Sequence, residues 1–366
     1  MKTHEKFMKK CLDLAIMGLK KTKSNPLVGC VITYNGVILS TGYHKKFGGP
    51  HAELDAIQKL KKKHPHDYQE LLKKSSLYVN LEPCFHHGKT PPCIDLILKY
   101  KIQKVIIGTK DPCNLVNGKS IKELKKHTKL ITGVMVRECK ILNHQYFINH
   151  KLKQPKIILK WAKSTDDFIN NDQPGIFKIS NSISQKLTHT WRSEIDAIMV
   201  GTNTIKCDNK KITTRHIIGK NPIRITIDRF NNNFSDKKWN ILNKDAQTII
   251  LNEYENKRIN NIHYLNYMDC QQDNKLTDQK KLQKIMLLLF NQNIKSILVE
   301  GGSIILQNLI DANLWDEARI ITSNKIIKKG IKAPTIIHQD KYAKTIKAGN
   351  DRIKIITNTN RIFNLE

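Results

Sequence analysis

Four residues stand in an order that metal chemistry can use: His51, Glu53 two positions later, Cys84 directly after Pro83, and Cys93. Zinc takes about four tetrahedral ligands, and a catalytic site keeps one of those positions for water. One histidine and two thiolates fill three positions. Water in the fourth has its pKa lowered toward ~7, so a nucleophile is available near neutrality. If His51 opens a helix, Glu53 faces the substrate side while His51 holds the metal. It is then the candidate to take the proton of water and pass it to a ring nitrogen and a leaving amine. Such a proton shuttle is typically worth ~10²–10⁴ in rate. A structural zinc would instead close with a fourth protein ligand, for which Cys113 is the nominal candidate.

The elements around these residues read as alternating helix and strand. Apolar residues from Phe7 to Leu19 recur at helical spacing over Glu5–Lys20. Two apolar runs then flank Asn35-Gly36, a strong hairpin signal. A helix starts at His51, and the strand SSLYVNL runs into Glu82-Pro83-Cys84. A further helix begins near Cys93, ahead of the strand KVIIG. The helix start and the metal both favour the thiolate at Cys93. The segment HQYFINHKLKQPK has no strong period and contains Pro155, which makes it the candidate linker. A second run of α/β signals follows: strands KIILKWA, AIMVG, PIRITID, QTIILN and SILVEGG, with helices SISQKLTHTWRSE, LQKIMLLLFNQN and SIILQNLIDA. The final stretches DEARIIT and TIKAGNDRIKIITN read as strands.

The length of 366 residues suits two α/β domains. No apolar run approaches the ~18 residues of a membrane span, and no export signal is evident, so a cytoplasmic protein without a membrane partner is expected. The eight cysteines are spread along the chain rather than arrayed as a disulfide framework, which fits a reducing compartment. The formal charge of +31 comes mainly from lysine, and no arginine precedes Arg137. Lysine, isoleucine and asparagine are abundant even in loops, so the charge reads as compositional drift and no nucleic-acid partner is expected. A phosphorylated small substrate would welcome the same field.

The pattern H-x-E…P-C-x-x-C is the signature of zinc deaminases acting on nucleobases. Here eight residues, FHHGKTPP, separate the two cysteines. LEPCFHHGKTPPC resembles the deaminase domain of the bifunctional riboflavin-biosynthesis deaminase/reductase family. So do Asn25-Pro26-Leu27-Val28-Gly29, the G-x-H of Gly42 to His44, and the Asp111-Pro112 segment. The second half resembles the same family's reductase domain through Lys160–Ser164, ISNSISQKLTHTWRSEIDAIMVGTNT, Asp208-Asn209 with Thr213 and Arg215, ILVEGG and LIDANLWDEARIIT.

The resemblance implies a cytidine-deaminase-like α/β/α domain over 1–147 and a dihydrofolate-reductase-like α/β domain over 148–366. It implies two reactions: hydrolytic deamination of a diamino-phosphoribosylamino-pyrimidinone at zinc, then reduction of ribosyl to ribityl with NADPH. Carried over by position, Asn25, His44 and Lys89 would contact the first substrate. His86 to Thr90 supply polar donors beside the metal, with Lys89 the candidate for the phosphate. Thr204, Asp208, Gly302, Ser303, Ile304, Ile305, Leu306, Gln307 and Asn308 would contact the dinucleotide. Arg192, Ile212, Arg215 and Glu300 would contact the second substrate.

From the residues alone, Glu300-Gly301-Gly302-Ser303 is a strand-to-helix turn where a phosphate could approach the backbone; a plain turn gives the same text. There is no G-x-G-x-x-G, so a Rossmann assignment fails. Three residues depart from the family pattern: Asp167 in place of a usual glycine, Lys210 in place of a proline, and Lys178 where an aromatic often covers the cofactor. A degenerate, non-reducing second half, or a nucleic-acid deaminase with a binding module, are the alternative readings. The sequence leaves oligomeric state open, a homo-oligomer included.

Overall fold

The structure, a computed structural model, describes residues 2–22, 24–86, 91–171, 178–234, 239–268, 276–337 and 343–363. The chain forms two compact units, Met1–Leu152 and Lys153–Glu366. The expected linker is mostly helical: His144–Lys151 is a helix, and Phe147 and Ile148 are buried. A two-turn helix is too short to show a clear period, so its anchoring contacts were invisible in the sequence.

The first unit is built on five strands: β1 (Gly29–Tyr34), β2 (Val37–Tyr43), β3 (Ser76–Leu81), β4 (Lys104–Thr109) and β5 (Lys129–Thr132). Their order is β2-β1-β3-β4-β5. The first three are antiparallel neighbours, and β3, β4 and β5 run parallel. The β1–β2 turn has Asn35 at φ +48 and Gly36 at φ +78, the two positive angles that a two-residue hairpin of this type demands. Among the described residues seven helices accompany the sheet: α1 (Lys2–Ile16), α2 (Ala52–Lys63), α3 (Tyr68–Lys73), α4 (Cys93–Lys99), α5 (Lys119–His127), α6 (Val136–Leu142) and α7 (His144–Lys151).

Strand periodicity sorts the core into two layers. Cys30, Ile32, Leu77, Val79, Val105 and Ile107 pack with residues of α2, α4 and α5. Val31, Tyr78 and Ile106 face α1 and α6. Helix α2 lies so close to β2 that a Cβ on Gly42 would stand 2.2 Å from the Ala52 carbonyl oxygen. That close approach fixes the start of α2, and with it His51 and Glu53, against the sheet.

The second unit holds a ten-stranded sheet and a two-stranded ribbon. Its strands are β6 (Lys156–Lys163), β7 (Phe168–Asn171), β8 (Ala197–Val200), β9 (Ile223–Ile227), β10 (Thr248–Asn252), β11 (Lys257–Ile259), β12 (Ile262–Asn266), β13 (Ser296–Glu300), β14 (Glu317–Thr322), β15 (Gly330–Lys332), β16 (Lys344–Ala348) and β17 (Asp351–Thr357). The large sheet runs β11-β12-β10-β9-β8-β13-β6-β14-β17-β16, and β7 pairs with β15. From β12 to β14 every neighbour is parallel; antiparallel strands close both edges. Helices α8 (Ser182–Glu194), α9 (Thr202–Asp208), α10 (Asp278–Asn291), α11 (Ser303–Asp311) and α12 (Thr359–Phe363) complete it.

Such a sheet needs a layer on each face. Ile157, Leu159, Trp161, Ile297 and Val299 pack with α10 and α11 on one side. Ile158, Ile198 and Leu298 belong to the opposite layer. Lys160 and Glu300 share strand parity with Ile158 and Leu298, and they are direct register partners on β6 and β13. The fully buried Arg224 of β9 pins the segment before β10 by donating to the carbonyls of Lys211, Asn240, Asn243 and Ala246, to Asn243 Oδ1 and to Thr248 Oγ1. Among the described residues no helix is long and apolar enough to cross a membrane.

Candidate active sites

In the first unit the three expected metal ligands converge. His51 is the residue before α2, Cys84 lies beyond the end of β3, and Cys93 opens α4. His51 Nδ1 is 3.4 Å from each cysteine Sγ, and the ligand atoms all lie within 4.8 Å of one another. The Cys93 N–H donates to Cys84 Sγ at 3.2 Å. The Cys84 thiol is pulled down to about 4, first by its hydrogen bond with Cys93. Cys93, paired with it and buried, is pushed up. One imidazole with two sulfur ligands is a donor set suited to zinc. Cys113 is not among the clustered ligands. The seven described cysteines are free thiols, Cys84 and Cys93 included.

Glu53 sits on the first turn of α2 and is only 3% exposed. Burial, followed by the charge of Cys84, raises its carboxyl above the usual range, the direction a proton shuttle needs. Asn25 and His44 meet beside this cluster. His44 Nδ1 lies 3.0 Å from the Pro50 carbonyl, which fixes the proton there. Nε2 then accepts from Asn25 Nδ2 at 3.2 Å. The His44 ring also stands edge-on to His51, centroids 5.4 Å apart. The Asn25 loop is held by Leu27, whose N–H donates to Asn143 Oδ1 and whose carbonyl accepts from Asn80 and Asn143. Glu82 braces the other wall by accepting the backbone N–H groups of Asp111, Gly118 and Ile121. Lys89 lies outside the described residues.

The second unit contains a cavity of about 1050 Å³ at the C-terminal ends of the parallel strands. Arg192 and Glu300 form its charged floor: Nε to Oε1 at 2.8 Å and Nη2 to Oε2 at 2.7 Å, with Arg192 Nη1 donating to the Thr213 carbonyl at 3.0 Å. Lys160 Nζ is 3.6 Å from Glu300 Oε2. Burial would raise the Glu300 carboxyl, yet Arg192 and Lys160 hold it at about 2. Burial lowers the Lys160 ammonium, against the pull of Glu300.

Thr204, Asp208, Gly302, Ser303, Ile304, Ile305 and Asn308 line the cavity, as do Ile212 and Arg215. Two expected contacts do not. Leu306 points into the core, and Gln307 turns outward to Asp311 and Thr335, because consecutive residues of α11 face different ways. Gly301 and Gly302 both have positive φ, and a Cβ on Gly302 would come 3.1 Å from Thr204 Oγ1. Glycine there leaves a narrow cradle between Thr204 and the start of α11, open to a ligand backbone or phosphate. Ile212 holds φ +51, a strained angle for a β-branched residue, at the cavity wall.

The three departures also take definite places. Asp167 adopts φ +66, the glycine-like angle, and pairs with Lys163. Lys210 pairs with Asp208 at 2.5 Å, and Lys178 lines the cavity. Sequence reasoning did not single out Lys160 or His189 as site residues. Lys160 stood within Lys160–Ser164, a segment marked only by its family resemblance; its pairing with Glu300 comes from parallel-strand register, which the sequence does not declare. His189, three residues before Arg192, shares its helix face.

A unit with a His-Cys-Cys ligand cluster beside a buried carboxyl, in one chain with a unit that holds a ligand cavity at the end of a mostly parallel sheet, defines a protein with two candidate active sites. Comparison with known proteins agrees over both halves. Residues 1–109 match the family described as the cytidine and deoxycytidylate deaminase zinc-binding region, and residues 155–354 match the RibD C-terminal domain. The riboflavin biosynthesis protein RibD of Actinobacillus pleuropneumoniae is 32% identical over 88% of this chain and 84% of its own. The RibD of Aquifex aeolicus is 31% identical over 89% and 88%. A crystal structure of a diaminohydroxyphosphoribosylaminopyrimidine deaminase/5-amino-6-(5-phosphoribosylamino)uracil reductase from Thermotoga maritima superposes with a TM-score of 0.74, at 31% identity, over 97% of this chain and 99% of that one. The chain belongs to the RibD family of bifunctional deaminase/reductases of riboflavin biosynthesis. Its units have the cytidine-deaminase-like and dihydrofolate-reductase-like folds expected from the sequence.

Proposed function

We propose that His51, Cys84 and Cys93 hold one zinc ion, that Glu53 is the proton shuttle of deamination, and that the cavity of the second unit takes NADPH and the deaminated product. The convergence of three ligand atoms within 4.8 Å, beside a buried carboxyl, carries the first half of this reading. When bound, the metal supplies the Lewis acid that makes water a nucleophile near neutral pH. Glu53 accepts one water proton and delivers it to the ring nitrogen; it then takes the remaining proton from the added hydroxyl and passes it to the departing amine, so that the carbonyl forms and ammonia leaves. Asn25, its amide oriented by His44, offers hydrogen bonds to the pyrimidine or ribosyl oxygens. Lys89 supplies charge for the phosphate.

The substrate of the deaminase would be a diamino-phosphoribosylamino-pyrimidinone, the class of compound on which the similar Thermotoga maritima deaminase acts by its name. In the second unit Thr204, Asp208, Gly302, Ser303, Ile304, Ile305 and Asn308 would hold the dinucleotide, which supplies the hydride when bound. Reduction of ribosyl to ribityl breaks the C1′–O4′ bond, places a hydride on C1′ and a proton on O4′. Lys160, a buried ammonium with a lowered proton affinity, is the candidate acid. Arg192 uses three of its five N–H donors on Glu300 and Thr213, so it holds the carboxylate in place. The Arg215 side chain makes no hydrogen bond or ion pair among the described residues, and its planar fork makes it the best suited of the cavity's cations to the substrate phosphate. Ammonia release from the diamino substrate, and NADPH oxidation on the deaminated product, test the two halves separately. Deamination that survives complete metal removal would overturn the first, and absence of NADPH-dependent turnover would overturn the second.

A further inference from the structure

Helix α8 grips the loop that carries Arg215 at two points. Arg192 donates to the Thr213 carbonyl at 3.0 Å, and three residues earlier on the same helix face His189 Nδ1 accepts the Arg215 N–H at 3.1 Å. The His189 ring also stands edge-on to His216, with centroids 4.6 Å apart and planes at 89°. One buried imidazole therefore contacts two consecutive residues of this loop. The loop needs such a hold, because it starts at the strained Ile212. Within the loop, Thr214 bonds to Asn221 and to the Lys220 carbonyl, and Asn221 and Lys220 in turn reach Asp245 and Asp196, so these ties close the far side of the loop and leave the Arg215 side to His189.

The hydrogen bond to Arg215 dictates the tautomer. An N–H aimed at Nδ1 requires a lone pair there, so the ring proton sits on Nε2 and the imidazole is neutral. The direction of its titration agrees: burial, then Arg192 and His216, hold His189 down at about 4. His189 lines the same cavity as Arg192, Arg215 and Glu300.

We infer that His189 is a positioning residue for the reductase: through its Nδ1 it fixes the backbone of Arg215, and so sets where the guanidinium meets the substrate phosphate. The inference rests on the reading of Arg215 as the phosphate ligand. Replacing His189 by leucine removes the acceptor but fills the space. Replacing it by asparagine restores an acceptor oxygen near the place of Nδ1. His189→Leu raises KM for the phosphorylated substrate about ten-fold, the loss expected from misaligning one charge-assisted hydrogen bond. It moves KM for the dephosphorylated analogue by less than about two-fold, and His189→Asn recovers most of the difference. In an Arg215→Ala background, His189→Leu adds nothing further, since the group it positions is gone.

Each alternative outcome is separable. If Arg215→Ala discriminates the phosphorylated substrate and His189→Leu does not, the phosphate reading stands and the positioning role is overturned. If Arg215→Ala shows no preference between the two substrates, the phosphate reading falls and takes this inference with it. Equal effects of His189→Leu on both substrates, or failure of asparagine to rescue, mark a packing role only and overturn it as well.

Discussion

Arg192 and Glu300, 108 residues apart in sequence, form a two-pronged ion pair that is buried at the floor of the reductase cavity. Breaking a buried pair from one side strands the other charge, at a cost of about 3–5 kcal/mol. Arg192→Ala is therefore expected to lower the stability of the second unit and to impair NADPH-dependent reduction. Ammonia release belongs to the other unit and is expected to persist. Parallel assays of the two reactions, with a thermal melt, check this.

The same pair sets an acid limit. Glu300 is held at about 2 in the folded protein, below the ordinary 4.5 of an unfolded glutamate. The stability it contributes is thus fully present above pH ~4.5 and is lost as the pH falls toward 2, about 3 kcal/mol in all. In Glu300→Gln the acid branch of the stability curve of the second unit should flatten in that window, as followed by urea unfolding at stepped pH.

Glu53→Gln keeps the size of the side chain and removes its titration. Deamination should fall by at least ~10²-fold, the worth of a lost acid/base group. Reduction of supplied deaminated product should stay within about two-fold of the parent. Loss of both activities in a folded variant would mean that one composite site performs both reactions.

Elemental analysis should return about one zinc per chain, held by ligands of the soft and borderline kind. Chelation should abolish ammonia release, and zinc should restore it. Cys93→Ser, by weakening one ligand, should make the loss occur at lower chelator concentration.

Asp167 stands at φ +66, where glycine is at ease. Asp167→Gly should leave NADPH oxidation unchanged and shift stability by no more than about 1 kcal/mol, because relief of the backbone is offset by the lost Lys163 pair and added chain entropy. A large loss of turnover would show that this residue serves the reaction and does more than close a turn.

The metal cluster was readable because each ligand carries a local signal, although the three meet only through the fold. A histidine at a helix start, a cysteine beyond a strand and a cysteine at the next helix start carry their own positional signals. The reductase site was readable only in outline. Arg192, Ile212, Arg215 and Glu300 do meet at one cavity, but Leu306 and Gln307 turn away from it, since seven consecutive residues of a helix start have no common face. Lys160 and His189 lie in segments that resemble the family, but nothing in those segments marks them as site residues; their roles arise from strand register and helix phase, which tertiary structure supplies. The helix at 144–151 was hidden for the opposite reason, being too short to declare a period.

Only nine of the 63 basic residues of this chain are arginine. Arg224 is one place where a lysine could not take over the contacts that are made. Its planar fork serves six acceptors at once, four of them backbone carbonyls that have no sequence of their own to alter. A lysine has three donors on one atom and reaches one point in space. A lysine at this position would leave most of these acceptors without a donor, so the guanidinium answers a geometric demand made by the loops around it.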